Sequence, residues 1–218
     1  MAFTDRLKRC FKLRFAIVYP FAIYAVFFTH PDAQSISQGI GFVVLGLLTR
    51  LWSNGYAIKL EKLTTSGPYA HIRHPLYFGT SLVLIGFIIM LKMYLVGILF
   101  FIVVVSVYFR TIKQEEQMLE DKFKDDYLDY KKKVPAFYPA VLAYSKGEKW
   151  PFSFERLMRS KEYKSAIWVI IFIIFIYLKT ILLVQKLPMN NRLWALAAIA
   201  VLLAATDITG EIIKKGKR

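Results

Sequence analysis

The sequence predicts an all-α integral membrane protein of about six hydrophobic helices, two of them forming a tight hairpin, with a pocket on the cytoplasmic side. Three observations predict it. Hydrophobic residues make up 56% of the 218 residues, against about 45–50% in a soluble domain. They are blocked into runs that approach the roughly 20 apolar residues of a full span. The positive charge is also one-sided: of 30 Lys and Arg, all but Arg50, Lys92, Lys179, Lys186 and Arg192 fall in segments 1–14, 59–75, 110–164 and 211–218. Positive residues stay inside, so both termini and the stretch around residue 70 are expected in the cytoplasm.

The first apolar run, 14–29, follows a basic N-terminus and lacks a small-residue cleavage site, so a span rather than a cleaved signal is expected over 1–35. The second run is 37–58. The third and fourth, 76–91 and 93–110, are separated by little more than Lys92. At about 1.5 Å per residue the third reaches about 24 Å, so 76–110 reads as a hairpin that barely crosses the hydrocarbon, or does not cross it. Ile112, Glu115, Glu116, Leu119 and Phe123 continue the fourth helix at helical spacing until Val134 and Pro135 end it. Segment 36–140 is thus one core. Segment 141–164 reads as an amphipathic surface linker, with Trp150, Phe152, Phe154, Leu157 and Met158 interleaved with Arg156, Arg159 and Lys161. Runs 165–185 and 192–210 then give two last spans and a basic tail, 165–218.

The net charge of +15 reads as topology plus attraction to anionic membrane lipids, not as a nucleic-acid face. The single cysteine, Cys10, excludes an intrachain disulfide and reads as an unmodified thiol. Metal binding is not expected: His71 and His74 share a helical face, but a third ligand is needed and His30 belongs on the other side. There is no GxSxG, no GxxxxGK[ST], and no GxGxxG after a strand.

The residues that carry chemistry cluster at GPYAHIRHPLYFG, Gly67 to Gly79. Ionisable groups such as Arg73 and His74 at a membrane edge are functional candidates by default. The hairpin brings two arms together. One offers Glu61, Lys62, Tyr69, Arg73, His74 and Tyr77. The other offers Arg110, Glu115, Glu116, Tyr127 and Tyr130. Mixed acids, bases and rings suit a zwitterionic ligand with an aromatic base. Snorkelling cations and an aromatic belt explain the same composition, and the residues alone leave both readings open. Glu115 and Glu116 lie about 100° apart on a helix, so one of them at most faces a pocket.

GPYAHIRHPLYFG, followed by EEQML and DDYLDYKKKVPAFYP, closely resembles the isoprenylcysteine carboxyl methyltransferase family. More loosely it resembles the phospholipid methyltransferases. The resemblance covers roughly residues 50–139 and implies an integral membrane enzyme that uses S-adenosylmethionine, in a pocket capped by the segment after the hairpin. It implies cofactor contacts at Glu61, Lys62, Leu63, Thr64, Tyr69, His74, Pro75, Leu76, Tyr77 and Glu115, with Arg73 among them. The family often has a histidine where this chain has Glu61. It also implies an acceptor-site arginine, for which Arg110 stands one position early, with Thr111 at the aligned place. Arg110 and Glu115 are the expected catalytic pair, and Glu116 is expected to be a surface acid beside Lys113 and Lys122. The acceptor is expected to be lipid-like or prenylated, entering from the bilayer. A carboxylate acceptor needs no general base, so orientation and desolvation can carry the rate. An amine acceptor, as in phospholipid N-methylation, needs its proton removed. An NADPH-dependent sterol-type reductase has a similar RHPxYxG-like stretch, but with an asparagine and an acid where this chain has Leu76 and Thr80. A non-enzymatic lipid-binding or assembly protein is the remaining reading.

Overall fold

The computed structural model describes residues 23–58 and 62–216, with side chains as far as 210. Residues 23–28 are helical. The chain then forms α1 (Ala33–Tyr56), a 3-10 turn (Gly67–Ala70), α2 (Pro75–Met90), α3 (Tyr94–Lys133), α4 (Phe154–Ser160), α5 (Glu162–Lys179) with a π-helical end (Thr180–Val184), and α6 (Asn191–Gly216). Among the described residues there is no strand. Of the expected first span, the part before residue 23 lies outside the described residues.

Local chemistry sets the boundaries. Asp32 and Ser35 form a reciprocal capping box at the start of α1. Pro75 opens α2 at a position where a missing N–H costs nothing. Lys92, with φ 54°, turns the chain between α2 and α3, and the Met93 amide donates back to the Ile88 carbonyl at 3.1 Å. The hairpin expected over 76–110 is therefore present, and its arms are unequal. At about 1.5 Å per residue α2 is about 24 Å long, whereas α3 runs about 45 Å from Tyr94 before a break at Lys124 (φ 45°), against a hydrocarbon thickness of about 30 Å. Helices α1, α3, α5 and α6 each contain a stretch long and apolar enough to span; α2 is shorter.

Helices α1 and α2 pack backbone to backbone. A Cβ on Gly46 would sit 2.5 Å from the Gly79 carbonyl oxygen, and one on Gly86 would sit 2.7 Å from that of Gly39. Small residues at matched positions are how helices approach closely in lipid. The two C-terminal helices are joined by polar contacts: Lys164 Nζ lies 2.7 Å from Asp207 Oδ1, and Trp168 Nε1 donates to Asp207 Oδ2 at 3.1 Å. Lys179 donates to the Val26 and Thr29 carbonyls, tying α5 to the segment before α1.

The polar half of α3 is held by a strap that sequence reasoning does not foresee. After Val134 the chain doubles back along residues 70–74. Arg73 and His74 amides donate to the Pro135 and Ala136 carbonyls at 2.9 and 3.2 Å, and Ala140 and Tyr144 amides donate to His71 and Ala70 carbonyls at 2.8 Å. Tyr127, Tyr130, Val134 and Tyr144 pack with Ala70 into a small core beneath it. The 145–160 stretch is pinned to the end of α1: Trp150 Nε1 donates to the Tyr56 carbonyl, and the Arg156 Nε donates to that of Gly55, both at 2.9 Å.

Candidate active site

The GPY turn, the start of α2 and the facing side of α3 border a cavity of about 870 Å³, near the upper end of the roughly 300–1,000 Å³ typical of ligand sites. Its walls include Lys62, Leu63, Thr64, Tyr69, Arg73, His74, Pro75, Leu76, Tyr77 and Glu115, which are the expected cofactor residues apart from Glu61. Glu61 lies outside the described residues. Tyr108, Leu119, Tyr127 and Tyr130 complete this end.

Each polar group has a local reason for its position. Tyr77, one turn into α2, donates its hydroxyl to Glu115 Oε1 at 2.6 Å, and its ring lies 4.8 Å from that of Tyr108. Tyr130 donates to the Tyr69 carbonyl at 2.6 Å, fixing the GPY turn against α3. Arg73 runs under the end of α3 and donates to the Lys131 and Val134 carbonyls at 2.6 and 3.0 Å, a favourable place for a cation at a helix C-terminus. His74 is buried between the two acids, with Nε2 at 3.3 Å from Glu116 and Nδ1 at 3.7 Å from Glu115. Burial raises the Tyr69 phenol pKa well above its ordinary value, and Glu115 and Glu162 push it further, so the hydroxyl stays neutral.

Two expectations change. Glu116 is not a surface acid: it is buried and lies 2.8 Å from Arg73 and 3.2 Å from Lys131. A break in α3 at Lys124 (φ 45°) folds the end of the helix back so that Lys131 meets Glu116, and Arg73 reaches it from the RHP turn. Arg110 is exposed and stands outside the cavity lining, because α3 turns it away from the face that carries Tyr108 and Glu115. Besides Arg73, the cavity is lined by Arg50, which bonds Glu162 Oε2 at 2.6 Å. Sequence reasoning placed Arg50 inside a span without a role. Its position there was the available signal, whereas nothing in the sequence marked Glu162, Ser165 or Val169, which also line the cavity.

The cavity carries unsatisfied donors. Among the described residues, Arg73 Nε and Tyr127 Oη are buried with no hydrogen-bond partner, and both residues line it. Gln114 Oε1, outside the lining, is a third such atom among the described residues, and buried polar atoms are almost always paired. The described residues contain no group of three or more His, Cys, Asp or Glu fit to hold a metal.

Residues 34–126 match the model of a family described as phospholipid methyltransferase. The matched segment contains α1, the GPY turn, α2 and α3 through Glu115 and Glu116. The match covers less than half of the chain. The chain is also similar to a protein-S-isoprenylcysteine O-methyltransferase from Schizosaccharomyces pombe, 32% identical over 48% of this chain and 50% of that protein. The mouse protein of the same name is 38% identical over 36% of this chain and 28% of its own length. The cobalt-zinc-cadmium resistance protein CzcN of Cupriavidus metallidurans is 29% identical over 62% of this chain and 66% of its length. The chain thus spans between about a quarter and two thirds of these relatives. No solved structure matches it. The family segment ends before the strap, before Glu162, and before α5 and α6.

Proposed function

We propose that this protein is an integral membrane methyltransferase that moves a methyl group from S-adenosylmethionine to a lipid-like acceptor, most simply a carboxylate as in isoprenylcysteine methylation. The observation that carries the reading is the tyrosine-walled cavity between the RHP turn and Glu115, with Arg73 Nε and Tyr127 Oη unpartnered in its walls. The cofactor's chemistry is an electrophilic methyl on a sulfonium that departs as a neutral thioether. Arg73 and Tyr127 supply donors for the ligand's carboxylate and hydroxyls. Tyr69, Tyr77, Tyr108 and Tyr130 supply ring faces, which attract cations. Glu115, fixed by Tyr77, places a negative charge where a cationic ligand is held. No base is needed for a carboxylate nucleophile, so these residues act by orienting ligands and excluding water.

Ligand-dependent melting tests the reading. A ligand that binds only the folded state adds about 2.7 kcal/mol at a hundredfold excess over its Kd. S-adenosylhomocysteine is expected to raise the melting temperature of the purified protein, and NADPH to leave it unchanged. The reverse result replaces the methyltransferase reading with that of a membrane reductase.

A further inference from the structure

The strap returns the chain to the membrane edge and leaves an apolar tip there. Along α3 the exposed residues Leu95, Ile98, Ile102 and Phe109 recur at helical spacing on one face. This stretch is apolar enough to span, so that face meets lipid. Arg110 and Lys113, both exposed, follow where the apolar stripe ends, as cations do at a membrane edge. Helix α3 then runs about 21 Å further to the break at Lys124, which folds its end back until Lys131 lies 3.2 Å from Glu116. The strap completes the return: the Phe137 ring stacks on Phe109, with centroids 5.9 Å apart. Just past it, Tyr138, Val141 and Leu142 are 68%, 95% and 84% exposed. Single apolar side chains on a surface are ordinary, but a cluster of them beside a lipid-facing ring marks an interaction site. The backbone beneath is held, because the Ala140 and Tyr144 amides donate to the His71 and Ala70 carbonyls at 2.8 Å. Lys132 and Lys133 precede the strap, Lys146 and Lys149 follow it, and all four are exposed. The acids among them, Asp129 and Glu148, are paired with Lys133 at 3.0 Å and with Lys62, so positive charge prevails around the tip.

We propose that the strap tip, Tyr138 to Leu142, docks into an anionic lipid leaflet, with Val141 and Leu142 below the headgroups and Arg110, Lys113, Lys132 and Lys133 on lipid phosphates. The occupant is lipid because the tip continues the lipid-facing stripe of α3 through the stacked Phe109 and Phe137 rings, and because cations border it. Docking reaches the cavity through the RHP turn. The Arg73 and His74 amides donate to the Pro135 and Ala136 carbonyls, the Arg73 guanidinium donates to the Lys131 and Val134 carbonyls, and Arg73 and His74 both line the cavity. A strap held at the membrane surface therefore steadies the wall that receives the ligand, and the charge of the bilayer regulates how tightly that ligand is held. This coupling, unlike the docking itself, rests on the methyltransferase reading.

The test places a nitrobenzoxadiazole label on a cysteine at Leu142 in the Cys10-free, full-length protein. The protein is reconstituted in nanodiscs of phosphatidylcholine alone or with about 30% phosphatidylglycerol. Lipids with a shallow doxyl group are expected to quench this label, about twofold more strongly in the anionic bilayer. A label at Asp125, just past the break at Lys124, is expected to stay unquenched. Val141→Asp is expected to abolish quenching at Leu142 and to leave the melting temperature in detergent unchanged, since the Val141 side chain touches little of the protein. Absent quenching at Leu142, equal quenching at Asp125, or retained quenching in Val141→Asp overturns the docking. Equal quenching in the two bilayers overturns its preference for anionic lipid. A blue shift without doxyl quenching means that protein, such as a second copy, covers the tip, and overturns the proposal as well. S-adenosylhomocysteine affinity is measured on unlabelled protein in the same nanodiscs. It is expected to be about threefold tighter in the anionic bilayer, and equal in both for Val141→Asp. Affinity indifferent to lipid charge beside strong quenching overturns the coupling alone. No S-adenosylhomocysteine binding in either bilayer overturns the methyl-transfer reading, and the quenching still decides the docking.

Discussion

Glu116 lies within 3.3 Å of nitrogens from Arg73, His74 and Lys131, while its neighbour Glu115 faces the cavity and accepts from Tyr77. Removing one partner of a buried ion pair leaves an uncompensated charge and costs about 3–5 kcal/mol. Glu116→Gln is therefore expected to lower the melting temperature of the ligand-free protein sharply. Glu115→Gln is expected to leave it nearly unchanged and to weaken S-adenosylhomocysteine, measured by calorimetry, more than about tenfold. Equal loss of melting temperature in both variants would remove the distinction. Tyr127 gives the opposite trade. Its hydroxyl is buried without a partner, and an unmet donor costs about 1–3 kcal/mol. Tyr127→Phe should raise the melting temperature of the ligand-free protein and weaken S-adenosylhomocysteine by up to about tenfold. A variant with unchanged ligand affinity would show that the hydroxyl does not serve the ligand. The angular separation of Glu115 and Glu116 was legible from helical geometry. What each acid meets was not, because Lys131 reaches Glu116 only through the break in α3 at Lys124 and Arg73 only where the RHP turn docks on α3, tertiary contacts with no periodic signal.

At the scale of elements, the packing of α1 on α2 is the part most sensitive to a single methyl group. Gly46 has no room for a Cβ, which would meet the Gly79 carbonyl at 2.5 Å and Val83 at 2.7 Å. Gly41, on the same helix, has nothing within 4 Å. Gly46→Ala should separate the helices and lower the melting temperature. Gly41→Ala should raise stability by about 0.5–1 kcal/mol, the usual helix-interior penalty of glycine. If both variants shift the same way, backbone contact is not what joins these helices. Runs of apolar residues revealed the helices themselves, and the break at Lys92 revealed the hairpin. The length of α3 was legible in two pieces, an apolar run and a polar periodicity. The order of contacts around α5 was not, since Glu162 looks like any charge at the edge of a span.

For the whole molecule, the asymmetry of charge carries the orientation. We propose that the cavity opens on the cytoplasmic side, since the segments that build it hold most of the Lys and Arg. In a Cys10-free background, a cysteine at Gln34 should react with an impermeant thiol reagent added to intact cells. One at Lys146 should react only after the membrane is opened. Equal labelling of both would overturn the orientation. Both positions are exposed, so accessibility to solvent does not separate them.

The contact between Lys164 and Asp207 bears on how the chain is made. Lys164 stands in the first turn of α5, at the membrane edge, whereas Asp207 lies inside the last apolar run, where a charge entering a bilayer alone costs up to about 2.5–3.5 kcal/mol at a helix centre and less toward its end. A ribosome that has delivered α5 but not yet α6 presents Lys164 to the insertion machinery without that carboxylate. The two helices therefore favour entering the bilayer as one hairpin, late in synthesis, with α5 retained beside the translocon until residue 207 emerges. Since α5 also carries Glu162 and Val169 into the cavity wall, nascent chains stopped short of Asp207 should hold their deep pocket wall only loosely, and the site matures at the end of translation.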